Sequence, residues 1–243
     1  MIRYIKTIKK KLTTEKLPKW YKQDLAKYKA ILTKKGLSSI KLNEFPQVND
    51  KVAETGFDHH YVYQGPWVLD KLIRSKPHKH YDVGSLIGYL GFFSALVPTT
   101  FIDIRPCKAD FPNFKELKGS IVKLPFKDKS IKSLSSLHVI EHVGLGRYGD
   151  PLDPLGSIKA CYELQRVLAK GGNLYVSVPV GKEITYFNAH RVFDPSVFAS
   201  YFSDLELVRF DLIEDGGAIV YNANFDAASK NDYACGLYWF KRK

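Results

Sequence analysis

HYDVGSLIGYLGFFSALVPTTFIDIRP, residues 80–106, is the stretch that decides the fold. A short extended run, His80 to Val83, leads into a glycine-bearing turn, and an uncharged segment then continues to Val97. Pro98 precedes a second extended run, Thr99 to Ile104. The pattern predicts strand, turn, helix and strand, which is the order of elements in one βαβ unit of a parallel sheet.

The turn in this unit carries features typical of nucleotide binding. Gly84 and Gly88 allow backbone conformations that are closed to other residues, and they let the chain approach a ligand closely. Asp103 lies 21 positions after Asp82, where a nucleotide-binding βαβ unit places the carboxylate that holds ribose hydroxyls. Leu86 stands where the dinucleotide fingerprint has its second glycine, so a tight turn in an ordinary α/β sheet is the alternative.

Further blocks follow this unit in a characteristic order. They are LPFKDKS at residues 124–130, LHVIEH at 137–142, and RVLAKGG at 166–172, the last leading into a predicted strand at 173–179. Together the blocks resemble the small-molecule branch of the class I S-adenosylmethionine-dependent methyltransferases, over roughly residues 58–243. HVIEHVGLGRYGDPLDP, residues 138–154, also resembles a little-characterised bacterial family of methyltransferase-like proteins of unknown substrate.

The resemblance implies a Rossmann-like α/β fold with a seven-stranded sheet and helices on both faces. The expected domains are a basic helical arm with a linker, residues 1–57, and a methyltransferase-like domain, residues 58–243. Within the second domain we expect a helix over 67–76, a third strand near 120–122 and a fourth over 134–139. We also expect an antiparallel pair at 205–213 and 233–241, and helices that begin after Asp153 and Asp194, whose side chains would cap them.

The resemblance also implies the cofactor, S-adenosylmethionine, and the residues that contact it. These cofactor-binding candidates are Asp82, Gly84, Ser85, Gly88, Asp103, Ser120, Leu124 and His138. Many relatives carry an acid near Ser120 that contacts the adenine amino group, and the serine here departs from that pattern. A ligand-binding protein without turnover is therefore a second interpretation, which Leu86 also favours.

The candidates for chemistry follow the fourth strand and flank the expected acceptor pocket. His142 is the candidate general base, because an imidazole is neutral near pH 7, and Glu141 would orient it or act in its place. The substrate-binding candidates are Tyr61, Gln64, Arg147, Tyr148, Asp150 and His190, with His60, Asn188 and Arg191 as neighbours. A purely structural role for each of these side chains is the alternative.

A rival interpretation comes from the segment His138 to His142, which matches the H-x-x-E-H pattern of inverted zinc peptidases. Two histidines four residues apart bind one zinc ion only if a helix brings them onto one face. The preceding residues read as a strand, and Gly144 and Gly146 discourage a helix. We therefore expect no metal at this motif, and the three cysteines show no paired spacing that would indicate a zinc cluster or disulfides.

The positive charge of the chain lies at its N-terminus. Residues 1–41 contain 13 Lys or Arg against Glu15 and Asp24, so this segment carries +11 of the total net charge of +12. Apolar residues at helical spacing predict two helices there, over about 2–12 and 17–35. These helices either pack on the domain with solvated lysines or form a surface for anionic lipid headgroups or a polyanionic partner.

The sequence also limits the partners and the location of the protein. Neither Asn-Pro-Pro-Tyr nor Asp-Pro-Pro-Tyr, the motif of base methylation in nucleic acids, follows the fourth strand. The expected acceptor is therefore a small molecule or a glycan hydroxyl, with cell-envelope polysaccharide biosynthesis as the context.

Residues 83–102 are uncharged, but Pro98 and three glycines argue against a membrane span. We expect a cytoplasmic protein, with peripheral contact at the inner membrane surface through residues 1–41 as an option. His78 and His80 are expected at the surface.

Overall fold

The computed structural model describes residues 17–105 and 107–243, and the chain divides into two compact units, residues 1–57 and 58–243. In the first unit, helix α1 spans Lys19–Lys34, and residues 37–57 contain neither helix nor strand. Lys51 folds back on α1, where its Nζ lies 2.9 Å from Asp24 Oδ2 and 4.4 Å from the centroid of the Trp20 ring. The other predicted helix of this unit, over about 2–12, lies outside the described residues.

The second unit is built on one mixed sheet of eight strands in the order β3-β2-β1-β4-β5-β10-β8-β9. The strands are β1 His80–Val83, β2 Thr99–Asp103, β3 Phe114–Lys118, β4 Ile131–Leu137, β5 Leu168–Val180, β8 Glu206–Ile213, β9 Ile219–Val220 and β10 Ala234–Lys241. Strands β1 to β5 run parallel, and β10 inserts antiparallel between β5 and β8. The prediction of seven strands is corrected by β9, a two-residue strand that pairs with the end of β8.

Helices cover both faces of this sheet, as predicted. On one face, α2 (His59–Ser75) and α3 (Ile87–Leu96) bury Val68, Leu72, Leu90 and Phe93 in a cluster with the sheet. On the other face, α4 (Gly156–Val167) and α5 (Pro195–Ser200) bury a second cluster that includes Leu164 and Phe198. Because both faces are covered, the parallel strands in the middle are buried along most of their length, and the polar side chains in them, such as Asp82 and Ser135, are buried as well.

Short elements complete the unit at the edges of the sheet. A 3₁₀ turn, Ile140–His142, follows β4. Strands β6 (Ile184–Tyr186) and β7 (His190–Val192) form a small hairpin after β5. Helix α6 (Phe225–Ala228) lies between β9 and β10, where no element was predicted.

Three sequence-based boundaries are wrong, each for a local reason. The helix predicted over 67–76 begins at His59, because Asp58 Oδ1 accepts a hydrogen bond from Tyr61 N and the helix tolerates Pro66. The third strand is Phe114–Lys118 rather than 120–122, where Ser120 forms only an isolated bridge to Lys123. Asp153 accepts from the Leu155 amide and pairs with Lys159, while the helix begins at Gly156.

Other predictions agree with the structure. The fourth strand and the antiparallel closing pair lie where they were expected, with β4 shifted by a few residues toward the N-terminus. Asp194 caps α5 by accepting from the amides of Ser196 and Val197. The prediction for His80 is wrong. This histidine was expected at the surface, but it is fully buried in strand β1.

Candidate active site

A cleft opens at the carboxyl ends of β1, β2 and β4, where open α/β sheets bind ligands. It encloses about 640 Å³ of empty space, part of it open to solvent, which is in the range of small-molecule sites, roughly 300–1,000 Å³. Seven residues that the sequence predicted as site residues line this cleft. They are Gly84, Asp103, Ser120, His138, His142, Tyr148 and Asp150.

Gly84 forms the floor of the cleft at the end of β1. Its backbone has a φ of 74°, a conformation that favours glycine. A Cβ atom at this position would lie 2.9 Å from Val139 Cγ1, so even a methyl group would crowd the neighbouring strand end. The absence of a side chain therefore keeps the backbone of the turn accessible to a ligand.

A buried polar network beneath the turn holds it in place. Asp82 accepts hydrogen bonds from the Ser85 amide at 3.1 Å, the Ser85 hydroxyl at 2.8 Å and the Ser135 hydroxyl. Burial raises the pKa of Asp82 to about 6, although these hydrogen bonds favour the ionised form and oppose the shift. Asp82 thus fixes the shape of the turn from below, without facing the cleft.

Asp103 ends β2 with its carboxylate at the cleft wall. The Arg105 amide donates to Asp103 Oδ1 at 2.6 Å, and the Arg105 guanidinium lies 3.6 Å from the same oxygen. The carboxylate side chain is only about 13% exposed. Because both of these contacts engage Oδ1, Oδ2 is the oxygen that can accept from a ligand hydroxyl.

His142 lines the same cleft from the 3₁₀ turn after β4. Its Nδ1 lies 2.6 Å from the Ala189 carbonyl oxygen and 3.3 Å from Arg147 Nη1. The carbonyl can only accept and makes the shorter contact, so Nδ1 carries the proton and Nε2 has the free electron pair. Burial lowers the pKa of His142 from its ordinary value, which the nearby Glu141 carboxylate partly offsets. The imidazole is therefore neutral near pH 7, with a basic nitrogen beside the cleft.

Glu141 is fully buried behind these histidines and does not line the cleft. His138 Nδ1 lies 2.9 Å from Glu141 Oε1, and His142 Nε2 lies 3.7 Å from the same oxygen. Burial alone would lower the pKa of His138, but the interactions of its ring with Cys235 and with the Glu141 carboxylate outweigh burial and raise it to about 10. Glu141 therefore contacts both histidines rather than a substrate.

Four predicted cofactor residues lie outside the cleft. Asp82 and Ser85 are buried in the network below the turn, where Ser85 Oγ also accepts from the Leu137 amide. Gly88 is exposed in the first turn of α3. Leu124 is buried, and its amide donates to Glu163 Oε1 at 2.6 Å. Asp82 and Ser85 support the turn from behind, whereas Leu124 belongs to the hydrophobic core.

The loop after His142 forms a cationic and aromatic rim. The Tyr148 ring has the Arg105 guanidinium at 4.2 Å and the Arg147 guanidinium at 5.1 Å from its centroid. Asp150 accepts from the amides of Gly144 and Tyr148, so its carboxylate stabilises the loop. Arg147 donates to the Ala189 carbonyl and does not pair with Asp150.

The remaining acceptor candidates lie around the entrance or in the core. Tyr61 is partly exposed, with its ring 5.4 Å from that of His138, and His190 lies 5.0 Å from the Tyr233 ring. Gln64 is fully buried, since its amide donates to Tyr89 Oη and accepts from Ser177 Oγ. The structure therefore gives Gln64 a packing role.

Two other neighbours of the predicted site are also structural. Arg191 is buried, and its Nη1 donates to the Val143 carbonyl at 2.7 Å and to Ser157 Oγ at 2.8 Å. Asn188 Nδ2 lies 3.5 Å from the Leu145 carbonyl oxygen. Both side chains hold the hairpin of β6 and β7 against the loop that follows β4.

Sequence reasoning missed several residues of the cleft. These additional lining residues are Val83, Ile102, Ile104, Arg105, Gly119, Ile121, Val139 and Val143. Most of them are apolar neighbours of predicted residues at the ends of β1, β2 and β4. Arg105 could have been predicted, because it lies two positions after Asp103, the last residue of β2.

Comparison with family models gives a partial match. Residues 122–216 match the family described as "Caenorhabditis protein of unknown function, DUF268". The comparison with curated proteins gives no match. The matched segment contains the loop with the His138 motif and the strands β4, β5 and β8, and the family description states no activity.

Solved structures with the same fold are numerous, at low sequence identity. A protein from Galdieria sulphuraria assigned as a sarcosine dimethylglycine methyltransferase is 15% identical, with a TM-score of 0.55 over 75% of this chain and 85% of that chain. Geranyl diphosphate methyltransferase in complex with S-adenosylmethionine is 12% identical, with a TM-score of 0.53 over 74% of this chain and 84% of that chain. The [4+2]-cyclase SpnF is 12% identical, with a TM-score of 0.52 over 72% of this chain and 80% of that chain.

These comparisons agree with the topology of the sheet. The resemblance predicted an antiparallel closing pair of strands, and the structure adds the strand order β3-β2-β1-β4-β5-β10-β8 with β10 inserted antiparallel between β5 and β8. The second unit therefore has the Rossmann-like fold of the class I methyltransferases.

None of the helices in the described part of the chain is both long and apolar enough to cross a membrane.

Proposed function

We propose that this chain is an S-adenosylmethionine-dependent methyltransferase that acts on a hydroxyl of a small molecule or glycan. The observation that carries the proposal is the arrangement of one cleft. Gly84, Asp103 and His142 all line it. The His142 imidazole is neutral, and its Nε2 has a free electron pair because Nδ1 carries the proton. A binding surface and a base therefore share the same space.

The residues of the cleft fit the proposed cofactor. The side-chain-free turn at Gly84 leaves room for the amino-acid end of S-adenosylmethionine, and a Cβ there would meet Val139. Asp103 Oδ2 would accept from the ribose hydroxyls, while Arg105 keeps Oδ1 in place. The apolar side chains Ile102 and Ile121 would line the region of the adenine ring, and Ser120 would offer its hydroxyl at the edge.

The chemistry requires little from the protein beyond alignment and a base. The cofactor would supply an electrophilic methyl group: the acceptor oxygen would bond to the methyl carbon in line as the carbon–sulfur bond breaks, with S-adenosylhomocysteine as the leaving group. Positioning of the acceptor by the cleft contributes to the rate, and His142 Nε2 takes the proton from the hydroxyl as the new bond forms. Because Nδ1 donates to Ala189, the orientation of the ring is fixed before the acceptor binds.

The rim of the cleft favours a polar or anionic acceptor. Arg105 and Arg147 flank the Tyr148 ring, and an aromatic face with neighbouring guanidinium groups suits a sugar or a sugar phosphate. This feature supports an acceptor from the pathways of cell-envelope polysaccharides. In this proposal the cofactor and the hydroxyl acceptor would bind in the same cleft.

A second candidate function is ligand binding in a methyltransferase fold without methyl transfer. Leu86 and Ser120 depart from the usual cofactor pattern, and Leu86 is about half exposed beside the turn. The similarity to SpnF shows that the fold alone does not decide the reaction, because that protein is a cyclase. Binding of the cofactor together with formation of a methylated product separates the two functions.

The decisive experiment is calorimetric titration of the full chain with S-adenosylhomocysteine. We expect saturable binding, and Asp103→Asn is expected to weaken it by about 10- to 100-fold, since a hydrogen bond to a charged group contributes about 1.5–3 kcal/mol. The matched variant His142→Gln should bind with unchanged affinity, because His142 acts on the acceptor.

With an acceptor found by screening for release of S-adenosylhomocysteine, His142→Gln should lower turnover by roughly 10²–10⁴-fold. The turnover rate of the wild type should fall only well below pH 7. Burial lowers the pKa of His142, and at any pH above that pKa the imidazole stays unprotonated and can act as the base. No binding of S-adenosylhomocysteine would refute the cofactor. Full turnover of His142→Gln would refute the base.

A further inference from the structure

Three buried side chains from distant parts of the chain converge behind the cleft. His60 lies in the first turn of α2, His138 follows β4, and Cys235 lies at the start of β10. In the described part of the chain, their ligand atoms all lie within 4.8 Å of one another. Each of the three residues is buried, with exposed fractions of 8%, 8% and 0%.

The distances within this group match those of a metal centre. His138 Nε2 lies 3.3 Å from Cys235 Sγ. Tetrahedral zinc with Zn–N near 2.0 Å and Zn–S near 2.3 Å separates its nitrogen and sulfur ligands by about 3.5 Å. One nitrogen of His60 and one of His138 lie within 4.8 Å of each other and of Cys235 Sγ, and the two rings are tilted by 34° with centroids 5.2 Å apart.

Glu141 supplies the outer support that such centres have. Its Oε1 lies 2.9 Å from His138 Nδ1, the nitrogen that does not face Cys235. A metal-bound histidine commonly donates its other N–H to a carboxylate, which fixes the tautomer and orients the ring. Glu141 is fully buried, so a cationic centre beside it would offset the free-energy cost of burying its charge.

The backbone at His138 also indicates a constrained site. His138 has a φ of 54°, in the left-handed region that non-glycine residues adopt infrequently. Such conformations cost free energy and persist where surrounding structure requires them. Here the conformation turns the chain at the end of β4, and the ring of His138 lies between Cys235 Sγ and Glu141.

An acidic cleft provides a route for a cation to this group. His60 and Tyr233 line it together with three acids, Asp58, Glu214 and Asp215, and it encloses about 680 Å³ of space that is open to solvent. Negative charge at the mouth of a cleft raises the local concentration of cations. His138 lines the other cleft, at the carboxyl ends of the strands, so the three side chains separate the two clefts.

We propose that His60, His138 and Cys235 bind a zinc ion, with Glu141 as the outer-sphere partner of His138. On binding, the His138–Cys235 pair gives up one proton to solvent, so that the Cys235 thiolate and one nitrogen of each histidine are free to form bonds to the metal. Three protein ligands leave a fourth position for water or a substrate oxygen. Two imidazoles and a thiolate favour zinc over magnesium or calcium, which prefer oxygen ligands.

This site differs from the one in the H-x-x-E-H peptidase pattern. That pattern would pair His138 with His142, but His142 Nδ1 donates to Ala189 and its Nε2 faces Glu141 Oε1 at 3.7 Å. His138 instead faces residues that lie 78 positions before it and 97 after it in the sequence. The proposal does not depend on methyl transfer, and the zinc site can exist whether or not the other cleft binds S-adenosylmethionine.

The test is titration of the untagged full chain, stripped of metals by a chelator, with Co²⁺ as a spectroscopic substitute for Zn²⁺. We expect one Co²⁺ per chain, a thiolate-to-cobalt charge-transfer band and the intense visible bands of tetrahedral cobalt. Zn²⁺ should displace Co²⁺ and abolish the bands. Cys235→Ser and His60→Gln should each weaken binding by at least about 10-fold, in line with the loss of a ligand, and Cys235→Ser should also remove the charge-transfer band.

Two cysteine controls make the result specific. Cys161→Ala changes a buried cysteine in the other hydrophobic cluster and should leave the spectrum unchanged. The double variant Cys107→Ser/Cys161→Ala retains Cys235 as its sole cysteine, so a charge-transfer band in this variant can come only from Cys235. This variant decides the question even if Cys235→Ser fails to fold.

Several results would overturn the proposal. They are no uptake of Co²⁺ or Zn²⁺ at stoichiometric concentration, an unchanged band in folded Cys235→Ser, or loss of the band in the double variant. Thermal unfolding gives an independent readout, because a metal that binds only the native state raises the Tm of the protein. Zn²⁺ should raise the Tm of the wild type and of Cys161→Ala, and should not raise that of His60→Gln.

Discussion

His80 shows at the scale of one residue how burial determines the charge of a side chain. It is fully buried in β1, with Nδ1 2.8 Å from Ser133 Oγ and Nε2 2.9 Å from Ser135 Oγ. Burial lowers the pKa of His80 to about 3, because the protonated form would lose its hydration. The folded protein therefore holds a neutral imidazole under all ordinary conditions.

This buried histidine predicts a loss of stability in acid. The unfolded chain protonates His80 below about pH 6.5 and the folded chain does not, so the free energy of unfolding falls as the pH drops. At pH 5 the loss from this residue is about 2 kcal/mol. His80→Gln should remove this contribution, although it also lowers stability at pH 7 by disturbing the serine contacts. Urea unfolding at pH 7 and pH 5 measures the difference.

The control for this prediction is His78→Gln, since His78 is exposed two residues earlier and its removal should leave the pH dependence of the wild type. Asp82 acts in the opposite direction, because its raised pKa lets the folded state take up a proton below about pH 6 and gain stability. The comparison of variants isolates His80 from that effect. Equal pH dependence of wild type and His80→Gln would contradict the prediction.

The sequence indicated part of the site at this scale, and physical reasons explain the rest. Asp103, Gly84 and His142 were predictable, because parallel strands end at one edge of a sheet and these residues follow strand ends. The approach of Cys235 to His138 was not, because contacts over 97 positions depend on the insertion of β10. The burial of His80 was missed because its neighbours in the sequence are polar.

At the scale of elements, α2 and α3 pack through a contact that admits almost no added volume. Gly65 of α2 faces Tyr89 of α3, and a Cβ on Gly65 would lie 2.5 Å from Tyr89 Cδ1. The Tyr89 ring cannot move aside easily, since its hydroxyl donates to the Tyr61 carbonyl and accepts from Gln64 Nε2. Glycine at this position therefore sets the distance between the two helices.

Gly65→Ala is consequently expected to destabilise the protein by about 1–3 kcal/mol through overpacking. Gly88→Ala is the matched control, because Gly88 is exposed in α3 and its nearest side-chain atom would lie 4.0 Å from the new methyl group. That variant should stabilise the helix by up to about 1 kcal/mol. Chemical unfolding of both variants checks the pair, and similar stability of the two would show that the helices do not pack as described.

The sequence predicted most elements but not their limits. The βαβ unit at 80–104 and the closing pair of strands follow from apolar runs and breakers that are local in the chain. Helix α2 was underestimated because Pro66 lies inside it. The side-chain cap at Asp58 and the packing of Val68 and Leu72 against the sheet outweigh the lost hydrogen bond, and both depend on tertiary context.

At the scale of the whole molecule, charge and fold are separated along the chain. Residues 1–57 hold 14 Lys or Arg and five Asp or Glu, which is +9 of the total of +12, whereas residues 58–243 carry only +3. The second unit contains the entire sheet and both hydrophobic clusters. The first unit therefore contributes the electrostatic field, and the second contributes the stability and both clefts.

This division predicts that residues 58–243 fold and bind S-adenosylhomocysteine without the first unit, because Asp58, which caps α2, is retained.

The full chain should bind vesicles that contain anionic lipids at low salt, since each Lys or Arg near such a surface contributes about 1 kcal/mol. The truncated chain should lose this binding, and 0.5 M NaCl should abolish it in the full chain through screening. Flotation assays with anionic and neutral vesicles measure the effect, with the truncated chain as the control. Equal flotation of the two chains would show that the basic segment only keeps the protein solvated. Failure of the truncated chain to fold would show that the second unit depends on residues 1–57.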